Sequence, residues 1–269
     1  MGKLPWPGWL WRKYEVVASP SQMASYGACH AQWWLRKIMR LPEDETQQQF
    51  AFGNAVHETA ARWFNREELW PRGWRMSLSD WEAQLIQDMM ALAVKTGAFD
   101  RERPLEGVER ALHTELIPGK VALIGKLDVL TDKGVEDHKT LSSRDWMPTE
   151  AAIREDPKMM CYARMWQRET GRGEDSDVEL TLNCLSKDAR DPFAERVTAI
   201  VTADDVREWW DGTATPLATA MLLDAKKNRL GDVTKDESHR ACRKYRGCPF
   251  LDVCMGNETI PEYRTRMKK

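Results

Sequence analysis

The segment Val121–Thr140, VALIGKLDVLTDKGVEDHKT, constrains this chain more than any other. Val121–Leu130 is apolar except for Lys126 and Asp128. A run of this kind, closed by the turn signal Thr131-Asp132-Lys133-Gly134, reads as a buried strand. Val135–Thr140 then returns as the second strand of a hairpin, carrying Glu136, Asp137, His138 and Lys139 in succession. Side chains alternate along a strand, so Asp137 and Lys139 share one face and Glu136 and His138 the other. If Asp132 and Lys133 form a two-residue loop, Leu130 pairs with Val135 and Asp128 faces Asp137. A bulge at Gly134 would instead bring Asp128 opposite His138. The first register is preferred because it yields a working site.

Two neighbouring carboxylates repel, and a divalent cation is the usual remedy. Oxygen ligands with open positions suit Mg²⁺ or Mn²⁺. Such an ion polarises a phosphoryl oxygen and generates hydroxide from bound water. Lys139 could orient that water or stabilise charge on the phosphate. Taken alone, Asp-x-Lys is a very common triplet, and a surface hairpin with solvated charges explains it better.

Around the hairpin the pattern alternates between helix and strand. Helices are expected over 19–40, 44–66, about 78–97 and about 149–168, the third capped by Ser77 or Ser79. Strands are expected at 108–117, 119–131, 135–140, 177–186 and 194–202. A long helix to about 226 opens at Thr202 and Asp205 in capping-box style. From 227 the chain is basic, polar and cysteine-bearing. This order predicts an α/β fold with a central mixed sheet flanked by helices. It reads as one domain, 1–269, with an N-terminal helical part (19–45), a core (46–226) and a C-terminal tail (227–269).

Composition narrows the functional classes. The chain has 269 residues, is 42% hydrophobic and 30% charged, and has a net charge of −2. No apolar run reaches the ~18 residues of a membrane span, so no membrane partner is expected and a cytoplasmic location follows. The charge gives no global attraction for nucleic acid, leaving only local patches. Several of the 13 tryptophans sit beside cations, as in Trp9-Leu10-Trp11-Arg12-Lys13 and Trp33-Trp34-Leu35-Arg36-Lys37. Such interleaving suits single-stranded nucleic acid, although most tryptophans pack in cores.

Asp128 in GKLD followed by Asp137-x-Lys139 resembles the core of the PD-(D/E)XK nuclease superfamily. The similarity is greatest to its RecB-like branch, which includes CRISPR-adaptation nucleases and phage exonucleases. That branch carries a Gly-x-x-x-His motif on an upstream helix, matched here by Gly53-Asn54-Ala55-Val56-His57. It also carries Gln-x-x-x-Tyr after the catalytic strand. Here Lys158-Met159-Met160-Cys161-Tyr162 matches at Tyr162 but replaces Gln with Lys158. The resemblance implies a restriction-endonuclease-like core and a metal-dependent DNA exonuclease active in recombination or repair. It implies Mg²⁺ or Mn²⁺ held by His57, Asp128, Asp137 and the backbone carbonyl of His138. Asp128, Asp137, Lys139 and Tyr162 would be catalytic, while Glu136 would point away. Lys158 and Tyr162 would contact the DNA, single-stranded or with free ends, and a recombination or repair protein would be the partner. A CRISPR-adaptation-like trimming nuclease and an inactive DNA-binding scaffold are the competing readings.

Six cysteines complete the picture. Cytosolic thiols stay reduced, so a disulfide framework is not expected. Cys161 and Cys184 fall in regular elements and read as small buried residues. Cys242, Cys248 and Cys254 recur every six residues near the end, and Cys29 lies early. The same branch often binds a [4Fe–4S] cluster with one cysteine before the nuclease motifs and three after them. The resemblance therefore implies a cluster on Cys29, Cys242, Cys248 and Cys254. The usual tight Cys-x-x-Cys pair is missing, and a Zn²⁺ site is the alternative. Arg243, Lys244 and Arg246, beside these cysteines, would then line a DNA channel.

Overall fold

The computed structural model describes Gly8 and residues 10–43, 48–67, 78–235, 240–243 and 247–268. In chain order its elements are α1 (Leu10–Lys13), β1 (Val16–Ala18), α2 (Pro20–Ala28), α3 (His30–Lys37), α4 (Gln48–Phe64) and α5 (Asp80–Thr96). Three long strands follow: β2 (Leu105–Ile117), β3 (Val121–Thr131) and β4 (Gly134–Leu141). Then come α6 (Glu150–Glu155), α7 (Pro157–Glu169), β5 (Val178–Ser186), β6 (Ala194–Val201), α8 (Ala203–Trp209) and α9 (Thr215–Ala225). The tail carries α10 (Arg240–Arg243), α11 (Leu251–Met255) and α12 (Ile260–Arg266). Among the described residues, no helix is long and apolar enough to cross a membrane.

Every predicted strand is present, with ends shifted by three residues or fewer. Three predicted helices are interrupted. The expected helix 19–40 breaks at Cys29, whose extended backbone (φ −162°, ψ 109°) ends α2 and caps α3. The expected helix 149–168 breaks at Asp156, which caps α7 ahead of Pro157; a proline is tolerated in a first turn but disfavours helix before it. The helix after Thr202 passes through a wide π turn at Trp210–Ala214 before Pro216 opens α9. Its predicted start holds: Thr202 Oγ1 accepts the Asp205 N–H, and Asp205 accepts the Thr202 N–H. Ser79 likewise caps α5 in a box with Glu82.

The chain divides into two compact units, with β2 and β3 running from one into the other. Residues 46–112 and 125–207 form the hairpin unit. In it β3 pairs antiparallel with β4, Leu130 opposite Val135 and Val129 opposite Glu136. This is the register of the two-residue loop, and by count it brings Asp128 opposite Asp137. The Thr131 hydroxyl holds the turn by accepting the N–H groups of Lys133 and Gly134. Strand β4 runs parallel to β5, which α6 and α7 make possible as the crossover, and β5 runs antiparallel to β6. The sheet is therefore mixed, as expected. A Cβ on Gly134 would lie 1.9 Å from the carbonyl oxygen of Glu179, so only glycine lets β4 start this close to β5. Helices α4 and α5 bury Val56, Phe64, Ile86 and Met90 in one core with Val129, Leu185 and Ala194.

The second unit, residues 1–45, 113–124 and 208–269, contains Cys29 and all three late cysteines. Strand β1 pairs in parallel with the first residues of β3, Val16 opposite Val121. Its buried polar anchor is Asp224 on α9, which accepts the Tyr26 hydroxyl at 2.6 Å and lies 3.1 Å from His30 Nδ1. Farther along, the Tyr263 hydroxyl donates to the Pro42 carbonyl at 2.8 Å. The tail thus contains ordered helices that its polar composition conceals, α12 being started by a Thr259–Glu262 capping box.

Candidate active site

At the open end of the β3–β4 hairpin, a side chain replaces the backbone ladder. Asp128 Oδ2 accepts the N–H of His138 at 2.8 Å. The same oxygen lies 3.0 Å from Nδ1 of His57, which α4 brings in from above. Among the described residues, one set of three His, Cys, Asp or Glu ligand atoms lies mutually within 4.8 Å: His57, Glu109 and Asp128. Glu109 was not anticipated. It sits on β2 with φ +52°, a left-handed conformation that breaks the pleat, so strand alternation could not have placed its carboxylate. Lys126 on β3 forms an ion pair with it.

Asp137 is buried but does not join that trio. Its two oxygens lie 2.9 and 3.0 Å from Nζ of Lys158. Asp137 was expected to hold the metal and Lys158 to contact DNA; here the two side chains pair with each other. The physical reason is the start of α7. Asp156 Oδ1 accepts the N–H groups of Lys158 and Met159, which fixes Lys158 in the first helical turn facing β4. The Lys158 ammonium also sits 5.4 Å from the centroid of the Tyr162 ring, so the predicted i, i+4 pair does share one helix face. The Tyr162 hydroxyl points to the Lys126 carbonyl at 3.5 Å. A Cβ on Gly125 would come within 3.2 Å of the Tyr162 ring and 3.1 Å of Met165, so the glycine of GKLD makes room for that ring. Lys139 lies exposed on β4, two residues beyond Asp137.

The electrostatics follow from this placement. Burial works to raise Asp128, but the hydrogen bond from His57 and the positive charge it can carry bring it down to about 2. Burial and the Asp128 charge push Asp137 up to about 6, against the pull of Lys158. Burial opposes charging His57, but the hydrogen bond and charge of Asp128 outweigh it and the imidazole is raised. Asp137 and His57 are thus held above their ordinary values and Asp128 below its own.

On the other face of β4 the arrangement is closed. Glu136 is buried, ion-paired with Arg103 and Arg196 and hydrogen-bonded by Asn183 at 2.9 Å. His138 is stacked on Phe64, with Phe99 beside it. Burial pushes its imidazole down to about 4, which keeps it neutral. As expected, neither side chain reaches the metal-ligand cluster. The backbone N–H of His138 points toward β3, and in a strand the carbonyl of the same residue points the same way.

A cleft of about 470 Å³ opens beside two of the trio, lined by His57 and Glu109 with Asn54, Arg62 and Lys126 among others. Gly53, four residues before His57, has open space where a Cβ would be. The motif glycine therefore leaves room beside His57 on the helix face.

The sequence matches the family model of the PD-(D/E)XK nuclease superfamily over residues 17–255. The chain belongs to the PD-(D/E)XK nuclease superfamily. A search of curated proteins finds no match. Among solved structures, this nuclease-superfamily chain is similar to a candidate exonuclease from Eubacterium rectale. The TM-score is 0.60 at 12% identity, over 97% of this chain and 95% of that one. That likeness shows a shared fold. A phage-related exonuclease from Haemophilus somnus 129PT aligns over 78% of this chain and 97% of its own, at 13% identity and a TM-score of 0.32. Nuclease folds of this superfamily use divalent metals, and His57, Glu109 and Asp128 supply a donor set of the right chemistry: one imidazole and two carboxylates.

In the cysteine unit, none of the six thiols of the chain forms a disulfide. Cys29 sits at the break between α2 and α3, where its sulfur accepts the Gln32 N–H. Cys248 N–H donates to the Cys242 carbonyl at 3.0 Å. Burial pushes the Cys248 thiol up to about 11, and the charges of Cys242, Cys29 and Cys254 add to the shift. All four predicted cysteines belong to the same compact unit. Cys161 and Cys184, in α7 and β5, are buried as expected. Arg243 is exposed on α10, whereas Lys244 and Arg246 lie outside the described residues.

Proposed function

We propose that this chain is an Mg²⁺- or Mn²⁺-dependent deoxyribonuclease of the RecB-like branch, a cytoplasmic exonuclease acting on DNA ends in recombination or repair. The observation that carries the reading is the convergence of His57, Glu109 and Asp128 within 4.8 Å, beside Asp137 and an open cleft. A bound divalent ion would supply Lewis acidity toward a phosphodiester and a nucleophile from water. The protein's own part is to hold and orient. Asp128 is fixed by the His138 N–H before any ion arrives. The His138 carbonyl faces the same side. Lys126 and Arg62 line the cleft, paired there with Glu109 and with Glu58 and Glu67, and a phosphate backbone would compete with those carboxylates for them; the Tyr162 ring is buried against Gly125. Lys139, at the exposed end of β4, serves the nucleophile.

The same reading gives Cys29, Cys242, Cys248 and Cys254 a [4Fe–4S] cluster. Buried thiols with raised pKa values become thiolates readily only beside a cation. Zinc is the alternative occupant of the same four thiols.

One preparation tests both halves. Protein purified without oxygen should digest linear DNA with Mg²⁺ or Mn²⁺, lose activity in EDTA, and contain about four iron and four sulfide per chain. Absence of metal-dependent digestion sinks the nuclease reading. One equivalent of zinc in place of iron sinks the cluster alone.

A further inference from the structure

Trp146 is the most exposed large apolar side chain among the described residues, at 70%. Single exposed apolar residues are common; the position of this one sets it apart. It ends a 3₁₀ turn, Arg144–Trp146, that follows β4 closely. The turn is braced at its start, where the Ser143 hydroxyl accepts the Asp145 N–H and the Ser143 carbonyl accepts the Trp146 N–H, both at 3.2 Å. Arg144 fixes where the turn lies. It pairs with Glu195 on β6 and sits 4.6 Å from the centroid of the Phe193 ring. Glu195 lies opposite Cys184 on β5, and Cys184 lies opposite Lys139 on β4. Paired residues share a face, so these three form one row, on the face that Asp137 occupies two residues earlier. Strand rise and spacing put Glu195 roughly 12 Å from Asp137, two residues along and two strands across, which is about three or four nucleotides of one strand.

The other exposed tryptophans lack this placement. Trp81 stands between Asp80 and Glu82 on α5, which packs with Leu185 and Ala194 on the opposite face of the sheet. Trp11 belongs to the other compact unit. At the Trp146 turn the acids are engaged, Glu195 by Arg144 and Asp145 by the Ser143 hydroxyl at 3.1 Å. Lys139 is exposed on the same row, and Lys187, whose N–H donates to the Leu141 carbonyl, adds a second exposed ammonium at that end of β4. An indole face beside cations suits an unstacked base. A base inside a duplex has both faces covered by its neighbours, so such a ring favours single strands.

We propose that Trp146 stacks on a base of a single-stranded segment, a few nucleotides from the scissile phosphate, and biases the enzyme toward single-stranded ends. The inference rests on the nuclease reading and narrows its substrate. Trp146 is a binding residue: it grips the strand away from the reacting atoms.

The test is binding of a short single-stranded oligonucleotide and of a blunt duplex to the full chain, with Ca²⁺ replacing Mg²⁺ so that neither is cut. Trp146→Ala should weaken single-strand binding by roughly 5–150-fold, the scale of one lost base–aromatic stack, and should leave the duplex within about two-fold. Trp146→Tyr should stay near wild type, and Trp146→Leu should resemble Trp146→Ala. The loss should be the same at every salt concentration, because stacking displaces no counterion. An abasic nucleotide walked along the strand should find one position where the missing base costs wild type affinity and costs Trp146→Ala nothing. Unchanged single-strand binding in Trp146→Ala, a Leu variant as good as Tyr, an equal loss on the duplex, or no such abasic position would overturn the proposal. Digestion of linear DNA by wild type keeps the two readings apart. If wild type digests DNA and Trp146→Ala binds it equally well, this inference alone fails. A wild type that neither binds nor digests DNA removes the nuclease reading and this inference with it.

Discussion

The two faces of β4 hold similar residues in opposite states. Glu136 and Asp137 are adjacent, buried carboxylates on one strand. Glu136 meets two guanidiniums and an amide, with His138 packed between phenylalanines beside it. Around Asp137, three carboxylates (Asp137, Asp128 and Glu109) share two ammoniums and one imidazole. The first face is closed on its own charges. The second, beside open space, balances only while the His57 imidazole holds a proton, and a cation can take that proton's place. Burial of an acid says little about function; whether the fold itself completes the neutralisation says a great deal.

The comparison breaks most sharply at Asp128. Asp128→Asn should reduce Mg²⁺-dependent DNA digestion by about 10²–10³-fold or more, the usual scale for removing one preorganised electrostatic group. Thermal unfolding of the metal-free chain should change little, because Asn can still accept the His138 N–H. If initial rates stay within a few-fold of wild type, the open face is not the site.

Glu136→Ala should do the reverse. It leaves Arg103 and Arg196 without their partner, and breaking a buried pair costs about 3 kcal/mol. Arg196 can turn to solvent, so the lower end of the range is expected. Urea unfolding would measure the loss, while digestion per folded molecule should persist. A stable but inactive Glu136→Ala would show the two faces to be interchanged.

The smallest effect is a pH dependence of the metal-free chain. His57 is raised in the folded state by Asp128. Its stabilising contribution is therefore full below the unfolded imidazole's value, near 6.5, and fades as pH rises through the folded one. The melting temperature in EDTA should fall slightly on going from pH 6 to 8, and His57→Gln should flatten that slope. Metal affinity should run the other way, since ion and proton compete for the same nitrogen. A slope unchanged in His57→Gln would remove this histidine from the cluster.

The hairpin was legible because its signals agree: an apolar run, a two-residue turn and strict alternation leave one register that brings Asp128 to Asp137. The helix ends at Ser79 and Thr202 were legible for the same local reason. The break at Cys29 was hidden, because the one helix-weakening residue nearby, Gly27, costs a helix only about 1 kcal/mol and sits two residues before it. Glu109 was hidden by its backbone, which departs from the alternation used to read strands. Lys158 was found as a departure from a motif, but its partner was not, because a helix N-terminus can aim a long side chain either inward or outward. The cysteine spacing pointed only to the three late thiols, and Cys29 joined them through the family resemblance.

The left-handed backbone at Glu109 sets a limit on improving this protein. A side chain with a Cβ is held there against a preference of roughly 1–2 kcal/mol. Asparagine enters that region more readily and would also remove one of three mutually repelling charges. Selection for heat resistance alone would therefore favour Glu109→Asn, and each round of it would erode the ion site. Stability and activity are set against each other at one residue, so a thermostable variant of this chain should be checked for its metal before its melting point is admired.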